Sequence, residues 1–115
     1  MIETIRKLVE TYGPSGHEDK IREVILQEIE GLADEVTVDA MGSVIAWKRS
    51  GADDAPVVML SAHMDEIGVM VTHVDEKGYL RFTNIGGLGL VTLIGNRVLF
   101  EDGTVGVIGV ESGLE

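Results

Sequence analysis

The chain contains no cysteine. That excludes a disulfide framework and thiolate metal sites, and it makes a cytoplasmic address the expected one. Positive charge is also scarce. Lys and Arg total 9 against 20 Asp and Glu, a formal net charge of -11, and the acids are spread over both halves of the chain. No polybasic stretch is available to neutralise phosphates or to anchor on anionic lipid, so neither nucleic acid nor membrane is an expected partner. Cations are compatible with the charge. No apolar run reaches the ~18 residues that span a bilayer. The opening stretch MIETIRKLVE is amphipathic, carries acids early and shows neither a continuous apolar core nor a cleavage signal. A soluble protein is expected.

Aliphatic residues dominate what is present. Of the 115 residues, 44% are hydrophobic and only 4% aromatic. A compact fold of this size buries roughly two-thirds of its unfolded surface, enough for one core. Apolar residues at Ile2, Ile5, Leu8, Val9 and Tyr12 predict a first helix that ends in YGPSG. Ser15 and Glu18 have capping-box spacing ahead of a second helical stripe, Ile21, Val24, Ile25, Ile29 and Leu32.

From DEVTVD onward the period changes to two. Val36 and Val38 alternate with polar neighbours, MGS turns the chain, and SVIAWK is the expected antiparallel partner. The near-continuous apolar stretch in PVVMLSAH then reads as a strand covered on both faces. Two helices and about three strands predict the start of an α/β layer structure over residues 1–67. Beyond Gly68, VMVTHV, YLRFTNI, RVLF and VGVIGV are short strands separated by DEKG, GGLGL and EDG, which predicts part of a small β-barrel or β-sandwich module over residues 68–115. GVIGVESGLE stops directly after a strand, so the chain is expected to be the leading portion of a longer protein.

The chemistry is concentrated in VVMLSAHMDEIGVMV, where His63, Asp65 and Glu66 interrupt the apolar run. Residues two apart on an extended chain face the same side, so His63 and Asp65 point together while Met64 points away. A metal-ligating histidine has its second ring nitrogen fixed by a carboxylate or carbonyl, and His-x-Asp supplies both pieces. The end of a strand is also where ligands of α/β sheets gather. On spacing alone, a core histidine paired with Asp65 for structural reasons stands ahead of a ligand, because so short a match recurs by chance.

Four blocks in order carry more. These are GPSGHE at Gly13 to Glu18, VDAMGSVIAWK at Val38 to Lys48, SAHMDEIGVMVTHVDEKGYLRF at Ser61 to Phe82, and IGG at Ile85 to Gly87, continuing to GVIG at Gly106 to Gly109. With them the chain resembles the M42 metallo-aminopeptidases, relatives of the glutamyl and tetrahedral aminopeptidases. The resemblance implies a catalytic α/β domain with a small β-barrel-like domain inserted after the HMDEIG strand. It implies two divalent metal ions, zinc or cobalt, peptide substrates trimmed from the N-terminus, and a homo-oligomer of the dodecamer type. His63 matches the metal-binding histidine and Asp65 the carboxylate that orients it, the one catalytic position in this chain. Glu66 matches a commonly seen residue without a catalytic role. The bridging Asp, the Glu-Glu pair of base and ligand, a later Asp ligand and a distal His would all lie beyond Glu115, and no Glu-Glu pair occurs in the chain. These 115 residues alone are therefore expected to be inactive.

Other candidates read as structural. His17 is expected just inside a helix start and His73 after a strand. GGLGL lacks the Lys-Ser/Thr ending of a phosphate loop and a helix to follow. Asp53 and Asp54 sit in a polar loop, Met59, Met64 and Met70 read as core or cavity-lining residues, and Trp47 as packing. A non-catalytic β-rich binding or assembly module that keeps the family sequence is the competing class. A glycoside hydrolase with Asp65 and Glu66 as its carboxylates fails, because adjacent strand residues face opposite sides.

Overall fold

The apolar stripe of the first segment winds into α1 (Ile2–Glu10), and α2 (Asp19–Glu28) follows it. Ile21 on α2 is 3% exposed, the most deeply buried hydrophobic residue among those described, whereas the stripe of α1 has no buried member. Lys7 pairs with Glu28 at 2.6 Å, and the Lys20 ammonium lies 5.4 Å from the Tyr12 ring centre, so polar contacts as well as packing join the two helices. The computed structural model describes residues 1–111; the final part of GVIGVESGLE, residues 112–115, lies outside them.

The expected capping box does not form. Glu18 occupies the N-cap of α2 with no side-chain cap hydrogen bond. A turn closed by the His17 amide and the Pro14 carbonyl, at 2.8 Å, separates Ser15 from the helix start, and Glu18 Oε1 accepts instead from the Gly16 amide at 2.6 Å. Ser15 is thus too far upstream to cap, and its hydroxyl is free for another partner.

Hairpins make up the rest of the ordered backbone. β1 (Glu35–Val38) pairs antiparallel with β2 (Val44–Trp47), β3 (Gly68–Val74) with β4 (Leu80–Ile85), and, after the short α3 (Leu90–Leu93), β5 (Arg97–Leu99) with β6 (Val105–Val107). One turn device serves the first two pairs. Asp39 Oδ1 accepts the amides of Met41 and Ser43 at 2.9 Å each, and Asp75 Oδ1 those of Lys77 and Tyr79 at 2.9 and 2.8 Å. Gly42 and Gly78 complete these turns at φ 88° and 84°, a conformation that only glycine adopts without strain.

The chain divides into two compact units, Met1–Glu66 and a second beginning at Ile67. In the second, Ile108 is buried, and Gly95 and Asn96 exchange backbone hydrogen bonds with it. The expected barrel-like module appears as two hairpins: among the described residues every sheet is two-stranded and none closes into a barrel.

PVVMLSAH departs from its expected strand. Residues 57–64 carry no strand assignment, and Val57, Val58, Met59 and Leu60 are 76–93% exposed. A strand exists through its neighbours' amides and carbonyls, and among the described residues this apolar stretch has none to pair with. The result is a mixed helix-and-strand molecule with small sheets rather than a layered sheet. No helix among the described residues is long and apolar enough to cross a membrane.

Candidate functional site

The segment carrying His63 is fastened at its far end. Glu66 forms an isolated parallel bridge with Pro14: its amide donates to the Gly13 carbonyl at 2.9 Å, and its carbonyl accepts from the Ser15 amide at 3.3 Å. The Glu66 carboxylate adds a third tie by accepting from the Gly13 amide at 3.3 Å. Gly13 and Pro14 are buried, and a Cβ on Gly13 would lie 2.6 Å from Ile21 Cγ2. Absence of a side chain at Gly13 is what lets α2 press this loop against Asp65 and Glu66.

On that footing Asp65 divides its two carboxylate oxygens. Oδ2 accepts a short hydrogen bond from the Ser15 hydroxyl, and Oδ1 lies 3.0 Å from His63 Nδ1. The Asp65 main-chain carbonyl is also 2.9 Å from the same nitrogen. Both neighbours of Nδ1 are acceptors, so Nδ1 must carry the proton, and in the neutral ring Nε2 is left with its lone pair. The His63 side chain is 85% exposed and Asp65 is half-buried, so the free nitrogen is accessible while its orienting partner is held. The Ser15 hydroxyl first and the His63 ring second hold the Asp65 carboxyl below the usual carboxylate range.

An imidazole with a fixed proton on one nitrogen and an open lone pair on the other suits a single ligand position for a borderline cation. It does not make a whole site. No group of three or more His, Cys, Asp or Glu side chains able to hold a metal occurs among the described residues.

The remaining sequence candidates are dispersed. His17 is exposed in the loop before α2 rather than inside the helix, and His73 lies on β3 opposite Arg81 at a register shift. Asp53 and Asp54 are exposed; Trp47 pairs across the hairpin with Glu35 and is 44% exposed. Met59 is 85% and Met70 46% exposed, so neither is a core residue within these 115 residues, and Met64 is half-buried. GGLGL leads into α3, so a helix does follow it, but one of only 4 residues. Asp65 and Glu66 do not form a carboxylate pair: one bonds Ser15 and His63, the other the Gly13 amide. The residue that sequence reasoning missed is Ser15. Its partner is 50 positions away, and local pattern assigned its hydroxyl to the helix.

Residues 42–113 match the sequence profile of the M42 glutamyl aminopeptidases. The lysyl aminopeptidase of Pyrococcus furiosus is 44% identical over 112 residues, covering 94% of this chain and 32% of the relative. Among solved structures, an aminopeptidase from the archaeon Desulfurococcus kamchatkensis superposes with a TM-score of 0.86 at 35% identity, over 98% of this chain and 32% of that one. A Thermotoga maritima protein described as an endoglucanase gives 0.85 at 37% identity, over 93% and 34%. The TET1 peptidase of Pyrococcus horikoshii, described as assembling into a tetrahedron or a large octahedral shell, gives 0.78 at 36% identity, over 97% and 34%. The chain thus spans about a third of the length of the curated relatives it matches, 34% and 32% for two of them.

Proposed function

The chain belongs to the M42 glutamyl aminopeptidase family, and from that premise we propose that it is the N-terminal part of a metal-dependent aminopeptidase that removes N-terminal residues from peptides. The observation that carries this reading is the His63–Asp65 pair, which leaves one imidazole nitrogen protonated toward Asp65 and the other open. His63 would hold one of two divalent ions, zinc or cobalt, through Nε2. When bound, such a pair acidifies a water and polarises the scissile carbonyl. Asp65 keeps the Nδ1 proton in place and the ring in one orientation, which also raises the basicity of Nε2. No group of three or more His, Cys, Asp or Glu side chains able to hold a metal occurs among the described residues, so this reading draws the other ligands and the general base from a longer protein.

The first unit is read as the opening of the catalytic domain and the second as part of an inserted β domain. A homo-oligomeric assembly is supported by the likeness to a shell-forming peptidase, and a cytoplasmic address by the absence of cysteine. Polysaccharide hydrolysis, which the description of the Thermotoga maritima relative suggests for that protein, lacks support here, since Asp65 and Glu66 are engaged separately.

The test is His63→Ala in the full-length protein, with metal content and aminopeptidase turnover measured on one sample. Both should fall together while the β hairpins stay folded. Wild-type metal content and turnover would overturn the ligand assignment. A wild-type protein that binds no zinc or cobalt and cleaves no peptide would instead favour a non-catalytic binding or assembly module.

A further inference from the structure

We propose that Ser15 is a positioning residue for this site: through its bond to Asp65 Oδ2 it fixes the carboxylate, and through the carboxylate the tautomer and direction of the His63 ring. This rests on the reading of His63 as a ligand, but the positioning itself is a property of the chain's own residues.

A carboxylate's terminal torsion is soft and nearly two-fold, so a single acceptor contact to His63 would leave Asp65 free to rock or flip. The Ser15 hydroxyl removes that freedom by engaging Oδ2 while Oδ1 faces Nδ1. Ser15 is itself held from both sides. Its amide is tied to the Glu66 carbonyl at 3.3 Å, one residue beyond the carboxylate it steers, and the preceding Gly13 is closed against Ile21, which is 3% exposed. The buried methyls of α2, the GPSG loop, Asp65 and His63 therefore form one continuous line of contacts. Release is only partial without Ser15, because the Asp65 carbonyl still accepts from Nδ1 at 2.9 Å. The loss should thus fall at the lower end of the range for outer-shell partners, about 10-fold in metal affinity.

The experiment compares wild type, Ser15→Ala and Ser15→Thr in the full-length protein. Ring nitrogen-15 shifts of His63 are read without metal, and zinc affinity is then measured by titration of Zn2+ alone. Wild type should show one tautomer, protonated at Nδ1. Ser15→Ala should show partial tautomer averaging and about 10-fold weaker zinc binding, and Ser15→Thr, which keeps the hydroxyl, should restore both. Gly13→Ala serves as the structural control: it should lower the melting temperature by more than Ser15→Ala, which loses only the hydrogen bond to Asp65. Wild-type ring shifts in Ser15→Ala, or a Ser15→Thr that behaves like Ala, overturn the proposal. A tautomer change in Ser15→Ala in a protein whose wild type never binds zinc supports the positioning role while rejecting the ligand reading of His63.

Discussion

At Gly13 and Asp65 single atoms decide the site. A methyl on Gly13 meets Ile21 Cγ2 at 2.6 Å, and both sides of that contact are constrained, one by the bridge to Glu66 and the other by α2. Gly13→Ala should therefore cost about 1–3 kcal/mol, the range for overpacking a closed site, read as a lower urea midpoint at unchanged slope. Asp65→Asn addresses the chemistry instead. It keeps an acceptor for His63 but loses the carboxylate's charge, so on the proposed aminopeptidase reading the full-length protein should retain much of its metal and turn over about 10–100-fold more slowly. Unchanged kinetics would remove Asp65 from the orienting role. His63 and Asp65 could be paired from sequence because they are two apart, and two-residue spacing has a simple geometric meaning. The role of Ser15 had no comparable local signal.

Hairpins were the most legible elements, and the reason is visible in their turns. DAMG and DEKG each pair an aspartate, whose carboxylate gathers two amides, with a glycine at positive φ three positions on. All the information for that turn lies within four residues. The same bonds make the first hairpin acid-sensitive. Backbone amides, that of Ser43 foremost, hold the Asp39 carboxyl below its usual range. A carboxyl depressed in the folded state stabilises fully above its unfolded pKa, about 3.9 for Asp, and that contribution disappears as pH falls through the lower folded value. Protection of the Met41 and Ser43 amides against exchange should accordingly fall at the acid end of this window, and Asp39→Asn should abolish that loss. PVVMLSAH was illegible in the opposite sense. Its composition describes a strand with neighbours on both sides, but composition cannot say that no strand among the described residues pairs with it.

For the molecule as a whole, the exposed Val57–Leu60 run is the largest departure from what an apolar sequence prefers. Four consecutive apolar side chains in water are a pairing surface. The 115-residue chain expressed alone should bind a hydrophobic dye and self-associate in sedimentation experiments, and Val58→Asp should suppress both. In the full-length protein the same substitution should unfold or strongly destabilise the molecule, because there the run is expected to be covered; a full-length Val58→Asp with wild-type stability would show that it is not. The Pro14–Glu66 bridge adds a consequence in time. It joins backbone beside Ser15 and Asp65, which are 50 positions apart, and a ribosome extending the chain at about 5–20 residues per second leaves that loop open for several seconds. His63 is added only at the end of that interval, two residues ahead of Asp65, so the Ser15 hydroxyl waits for its carboxylate rather than the reverse. The clasp therefore sets an order during synthesis, making the open nitrogen of His63 a product of folding rather than a condition for it.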